Sequence, residues 1–251
     1  MSDAPFPDGC SGAVSLTFDD GMASQLDVAI PMLNRHGLRG TFYVNPRGSS
    51  PTADDWREPL ARWREPSAQG HEVGNHSLTH PCSRAFCDVA GARGLEDMTI
   101  ADIEADLDEA ERRLCEVLGP GPRSFAYPCY NDFVGEGPTR QSYVPVVAKR
   151  FIAGRVRGEF GNAPATCSLS HLWSLASERM NADEMVGLAS NAALQKRWVI
   201  FTFHGIDCGH LPISGFDLER LCTWLAQPGN GVWTAPVAEV AASILRWRGE
   251  R

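Results

Sequence analysis

Three short stretches of the chain carry residue types that can hold a cation and move protons. In Thr17-Phe18-Asp19-Asp20-Gly21 an apolar run leads directly into two adjacent carboxylates and then a glycine. Two like charges side by side at a buried strand end are costly unless a cation or hydrogen-bond donors stabilise them. A bound metal resolves the conflict, because one carboxylate can ligate it while the other stays ionised nearby as a base. The plainer reading is an Asp-Asp-Gly turn, or an aspartate capping the next helix. In His76-Ser77-Leu78-Thr79-His80 two imidazoles lie four residues apart, and Pro81 disfavours an ordinary helix running through His80, so both rings can face one ion across a single turn. In Val199-Ile200-Phe201-Thr202-Phe203-His204-Gly205 an apolar strand ends on one histidine, which can serve as a general acid if its strand lies beside those carrying Asp19 and His76. His36, His71, His171 and His210 have no such company and read as structural or surface residues.

Strand-length apolar runs alternate with helix-length periodic segments along the chain, the pattern of parallel strands with covering helices. Strands are expected at 13–18, 40–44, 71–75, 124–127, 151–154, 171–175, 198–203 and 231–234. The clearest helix runs from Thr99 to Leu118, with Ile100, Ile103, Leu107, Ala110, Leu114 and Val117 at three-to-four spacing and Thr99 with Asp102 as its cap. Asn181 is placed to cap a second, running to Gln195, and Pro236 suits the first turn of a third. Residues 81–97 and 131–139 read as loops, each following a strand end that carries unusual polar residues; in parallel α/β architectures that edge is where sites are built.

Taken together, Thr-Phe-Asp-Asp-Gly at 17–21, His-Ser-x-x-His at 76–80 and the hydrophobic strand ending at His204 resemble the polysaccharide deacetylase family, carbohydrate esterase family 4. The resemblance spans roughly residues 12–245. It implies a distorted (β/α) barrel of about seven parallel strands, with Asp20, His76 and His80 as metal ligands, Asp19 as the base and His204 as the acid that protonates a leaving amine. The activity it implies is removal of N-acetyl groups from an aminosugar, in an oligosaccharide, a glycoconjugate or a small metabolite. The family's third motif is altered. Phe125-Ala126-Tyr127-Pro128-Cys129-Tyr130 stands where many members have Arg-Pro-Pro-Tyr-Gly, so Ala126 replaces the arginine that holds the catalytic aspartate. The motif's oxyanion-binding N–H then falls at Cys129, with Tyr130 as a substrate contact. The fourth motif, an Asp with Trp that orients the acidic histidine, has no clear counterpart within 151–177, where Arg155 or Arg157 is placed to supply the lost guanidinium from another strand. Trp173 and Trp233, each near a strand end, are candidate sugar platforms. Cys129 has no neighbouring histidine to activate it as a nucleophile.

One Asp with two His is a borderline donor set that suits zinc and also cobalt or manganese; the resemblance favours zinc. Composition is consistent with a single catalytic domain over residues 1–251. A net charge of −8, with lysine only at 149 and 196, argues against nucleic-acid or anionic-membrane partners and favours a neutral or cationic substrate. The first residues lack the basic start and apolar stretch of a secretory signal, which leads to the expectation of a cytoplasmic protein. The eight cysteines form no CxxC pair and are expected as reduced, mostly buried thiols. Two rival activities remain open: hydrolysis of another amide or cyclic imide on the same fold, and a catalytically silent carbohydrate-binding domain.

Overall fold

The computed structural model describes residues 4–86 and 93–250. Ten strands and eight helices alternate along it: β1 (Gly12–Phe18), α1 (Ile30–Arg35), β2 (Thr41–Val44), α2 (Arg57–Ala61), α3 (Arg64–Ala68), β3 (Glu72–Asn75), α4 (Ile100–Leu118), β4 (Ser124–Ala126), β5 (Phe133–Val134), β6 (Gln141–Ser142), α5 (Val144–Arg150), β7 (Ala153–Arg157), β8 (Leu172–Ala176), α6 (Ala182–Leu194), β9 (Trp198–Phe203), α7 (Gly215–Leu225), β10 (Val232–Thr234) and α8 (Val237–Arg248). Strands β1-β2-β3-β4-β7-β8-β9 pair in parallel in that order, and β9 returns to β1 over Ala13–Phe18, closing a seven-stranded barrel. Strand β10 shares one edge of β1 with β2: it takes the entry half, Gly12–Val14, and leaves Thr17 and Phe18 to β2.

Strand alternation sorts the side chains. Val14, Leu16 and Phe18 of β1 point outward into the main apolar cluster with Phe42, Phe203 and the helices, while Ala13, Ser15, Thr17 and Asp19 point to the barrel axis. The axis is filled by polar groups that satisfy one another. Tyr43 and Ser124 hydroxyls bond at 2.7 Å, Thr202 and Ser174 at 2.9 Å, and the Trp198 indole donates to Ser15 at 3.0 Å. Glu72 closes the lower end by accepting from Thr41, Ser124 and the Ala238 N–H. The same parity puts His76, Ala126, Arg155 and His204 on the axis at the carboxyl end.

Helix α4 begins at Thr99, whose side chain accepts from the Asp102 N–H while Asp102 bonds back, and α6 is capped in the same way by Asn181 and Glu184. Several boundaries differ from the sequence pattern. The strand expected at 151–154 runs from Ala153 to Arg157, so Arg155 belongs to the ladder, paired with Ala126 and Leu172. Within the loop expected at 131–139, Phe133–Val134 pairs antiparallel with Gln141–Ser142. Of the loop at 81–97, residues 87–92 lie outside the described residues. Trp233 pairs across from Ala13 at the end of the barrel remote from Asp19 and packs on Phe6; Trp173 faces outward against Phe160. Neither is a platform for a substrate at the barrel mouth, because strand parity and position carry both rings away from it.

Candidate functional site

Five residues gather at the barrel mouth because their strands end there in register. The β1–β9 pairing sets Phe18 beside Phe203, so Asp19 and His204 emerge side by side; their Oδ2 and Nε2 atoms are 3.9 Å apart. Gln25, wholly buried, pins both chains by donating from its amide to the carbonyls of Asp19 and His204. Strand β3 brings His76 to the same rim, with its Nε2 3.5 Å from Asp20 Oδ1, and the turn beyond it brings His80 Nε2 to 3.4 Å from the same oxygen. The donor atoms of Asp20, His76 and His80 all lie within 4.8 Å of one another. One carboxylate oxygen and two imidazole nitrogens converging with space beside them fit a borderline divalent cation that keeps positions open.

The ligand turn is held from outside. His76 Nδ1–H donates to the Ala126 carbonyl at 2.8 Å, which leaves Nε2 with its lone pair facing Asp20. Asp106, on the inner face of α4, accepts the Leu78 and Thr79 N–H groups at 2.7 and 3.2 Å and the Thr79 hydroxyl at 2.5 Å. Asp20, Ser77, His80, Cys129 and Tyr130 all adopt positive φ, between 49° and 73°. That left-handed region is uncommon for residues with a Cβ and persists only where the surroundings over-determine it.

Arg155 reaches from β7 across the axis to Asp19 Oδ1. Its guanidinium is completely buried between the rings of Tyr43 and Tyr130, 4.9 and 5.9 Å from their centroids, and its Nε and Nη1 have no acceptor among the described residues. Arg157, two residues on, lines the mouth beside Glu178 and does not contact Asp19. His204 Nδ1 is buried without a hydrogen-bond partner among the described residues, so none of their carboxylates orients this imidazole from behind.

The electrostatics follow from this crowding. Burial opposes the charge on Asp20, but His76, then His80, hold its carboxyl well below the usual range. Burial also opposes a charge on His76, and Asp19 and Asp20 outweigh it, raising its pKa. His80 is pushed down to about 4, first by burial and then by His76; His204 is lowered, again mainly by burial. Burial raises the Tyr130 phenol to about 12 against the opposing pull of Arg155, so its hydroxyl stays protonated.

The expectation of reduced thiols fails at one pair: Cys82 and Cys129 form a disulfide with Cα atoms 5.6 Å apart. Strands β3 and β4 are neighbours, and the fold thereby brings together two cysteines 47 residues apart in sequence. The bond ties the turn just after His80 to the turn after β4, and it removes Cys129 as a nucleophile. Cys10, Cys115, Cys167, Cys208 and Cys222 are free thiols, and Cys87 lies outside the described residues. No acceptor engages the Cys129 N–H among the described residues. His210, read from sequence as a structural or surface residue, is exposed and stands with its ring 5.5 Å from that of His204, because its carbonyl accepts from the Gly205 N–H and folds the loop back. Gln25 and Asp106 also escaped the sequence reading. The one signal for Asp106 was a carboxylate on the apolar stripe of α4, one turn after Ile103.

A cavity of about 470 Å³ opens on Asp19, His204, Cys129, Tyr130 and Glu178, with Phe86 and Leu211 at its rim. No helix among the described residues is long and apolar enough to cross a membrane.

A polysaccharide deacetylase family model matches residues 7–132. Among curated proteins, a chitin deacetylase from a Pestalotiopsis species is 26% identical over 117 residues, which are 47% of this chain and 34% of that protein. The uncharacterised protein YlxY of Bacillus subtilis is 23% identical over 126 residues, 50% of this chain and 31% of that protein. The matches thus span only about a third of those relatives. Solved structures share the fold over nearly the whole chain. A Mycobacterium smegmatis protein assigned to the polysaccharide deacetylases covers 100% of this chain and 96% of its own at a TM-score of 0.63 and 17% identity. A family 4 acetyl xylan esterase from Clostridium thermocellum, solved with a cobalt ion, covers 95% and 93% at 0.56 and 17%. A family 4 pseudoenzyme from Bacillus anthracis covers 92% and 65% at 0.55 and 17%.

Proposed function

Because the chain belongs to the polysaccharide deacetylase family, we propose that it hydrolyses the acetamide of an N-acetylated aminosugar with a divalent cation, zinc in the first instance, held by Asp20, His76 and His80. The observation that carries this reading is the convergence of those three donors beside an arginine-held carboxylate and a buried histidine at one barrel mouth. A cation held there by Asp20, His76 and His80 would polarise the acetyl carbonyl as a Lewis acid and would make water at the site easier to deprotonate. The protein's own groups do the rest. Asp19, aimed by Arg155, accepts the proton of the attacking water. The Cys129 N–H donates to the carbonyl oxygen as negative charge builds on it. His204, whose Nε2 lies 3.9 Å from Asp19 Oδ2, protonates the nitrogen as the C–N bond breaks. Tyr130 bounds the acyl side and keeps its hydroxyl as a neutral donor.

Phe86 and Leu211 at the rim support a bounded cavity, and hence a short oligosaccharide or a small N-acetylated metabolite in preference to a long polymer. The test is acetate release from N-acetylglucosamine oligomers by metal-loaded protein, before and after chelation. Metal-dependent release is expected. Sugar binding without acetate release would assign the chain instead to the silent class that the Bacillus anthracis protein represents.

A further inference from the structure

A second cavity, of about 560 Å³, also opens on Asp20, His80 and His210, but its other walls come from a different part of the barrel. They are the segment after β2, which contributes Asn45 and Arg47, and the α2–α3 corner, which contributes Arg62 and Trp63. Both arginines are exposed, and of the two only Arg62 forms an ion pair among the described residues, a loose one. Arg47 makes one long contact, 3.4 Å to the Thr79 carbonyl, and no ion pair among the described residues. Arg62 lies 3.8 Å from Asp27, with both side chains more than half exposed.

Several arginines elsewhere in the molecule are closely paired. Acidic residues outnumber Lys and Arg by 31 to 23, and Arg57, Arg123 and Arg150 each reach a carboxylate at 2.6–2.8 Å. Two exposed guanidinium groups line a cavity whose one carboxylate among the described lining residues is Asp20, a candidate metal ligand, so cationic groups outnumber it there. Guanidinium forks match the oxygens of phosphate and carboxylate. Trp63, almost wholly buried and packed on Phe42, also lines the same cavity.

We propose that this cavity is an anion subsite, and that Arg47 and Arg62 select an N-acetylated sugar bearing a phosphate or carboxylate substituent, whose acetamide lies at the Asp20–His80 edge. The inference deepens the proposed function and rests on it only for turnover. It also reverses the expectation of a neutral or cationic substrate: that expectation came from net charge, which averages over the surface, whereas recognition depends on the few charges facing one cavity.

The experiment compares N-acetylglucosamine, N-acetylglucosamine 6-phosphate and N-acetylmuramic acid as substrates of the wild type and of R47Q, R62Q and the double variant. Calorimetric binding of glucosamine and glucosamine 6-phosphate runs in parallel. In the wild type, the anionic sugars are expected to show a KM at least tenfold lower than the neutral one, with kcat changed less than threefold. The double variant should lower the anionic-to-neutral ratio of kcat/KM by tenfold or more, and the single variants by about threefold each. The phosphate and carboxylate arms show which anion the subsite prefers. Equal KM values for neutral and anionic sugars, or equal losses on both in the double variant, would overturn the subsite and leave deacetylation standing. Binding of glucosamine 6-phosphate that depends on both arginines, with no acetate released from any sugar, would overturn the proposed function and leave the subsite standing. No turnover and no arginine-dependent binding would overturn both.

Discussion

On the β1–β3 side of the barrel mouth, Asp20, His76 and His80 are set by two short turns and fixed from behind by Asp106, Asn75 and the Ala126 carbonyl. At the seam where β1 meets β9, Asp19 and His204 depend on partners from distant segments: Arg155 crosses the axis from β7, Gln25 ties the two backbones together, and His204 Nδ1 has no hydrogen-bond partner among the described residues. The first side is local and redundantly held. The second rests on single contacts. A ligand set must fix several atoms around one point, and consecutive residues in a turn do that cheaply, whereas orienting a proton donor or acceptor needs one well-aimed partner that can come from any strand facing the axis.

The comparison breaks most sharply at the ligands. Replacing both His76 and His80 by Ala should remove the bound metal and all measurable acetate release, read by elemental analysis of the dialysed protein alongside the acetate assay. Full metal content in that variant would dissolve the distinction between the two sides. Next come the proton-transfer groups. Asp19→Asn and His204→Ala should each lower kcat by about 10²–10⁴-fold while metal content is retained; near-normal turnover at saturating metal would remove that residue from the mechanism.

Arg155 sharpens the comparison, because it is the substitute for a tether that Ala126 cannot provide. Arg155→Met leaves Asp19 buried without its cation, so a stability loss of about 3–5 kcal/mol is expected in denaturant titrations, together with reduced kcat. Ala126 and Arg155 are register partners on adjacent strands, so the double variant Ala126→Arg, Arg155→Ala should recover part of the lost turnover. No recovery would mean that the strand from which the guanidinium arrives matters as much as its charge. Behind the ligand turn, Asp106→Asn should weaken metal affinity by about 10–100-fold, the usual effect of losing an outer support, while leaving the acid–base groups in place. Competition with a chelator of known affinity measures it, and unchanged affinity would show that the turn holds its shape unaided.

The smallest effects concern the frame. Cys82→Ser with Cys129→Ser opens the link between the turns after β3 and β4 and should cost about 2–4 kcal/mol of stability, seen as a lower melting temperature under non-reducing conditions. His71, buried against Asn34 and the Gly40 N–H, has its pKa depressed to about 4, by burial first and then by Arg39. It is therefore neutral in the fold, and its stabilisation, complete above its unfolded pKa of about 6.5, is lost as pH falls through that value towards about 4. His71→Gln should flatten the stability profile over that window.

Much of this protein was legible in its residue order. The alternation of apolar runs and amphipathic segments specified parallel strands with covering helices, in a barrel or an open sheet, because strand and helix periods are local properties of the chain; the family resemblance implied the barrel. The pairs Asp19–Asp20 and His76–His80 stood out because buried carboxylates and imidazoles at strand ends need a reason to be there. The helix starting at Thr99 and the one capped by Asn181 were equally plain, since a cap is written in three consecutive residues. What only the tertiary structure decided are the contacts between segments far apart in sequence: which of Arg155 and Arg157 meets Asp19, the join between Cys82 and Cys129, the return of His210 to His204, and the anchoring of the ligand turn by Asp106. Each depends on strand register and barrel closure, and a shift of one residue in register would turn Arg155 from the axis to the outer face. No local pattern records that register, because it is set by how all seven strands pack at once.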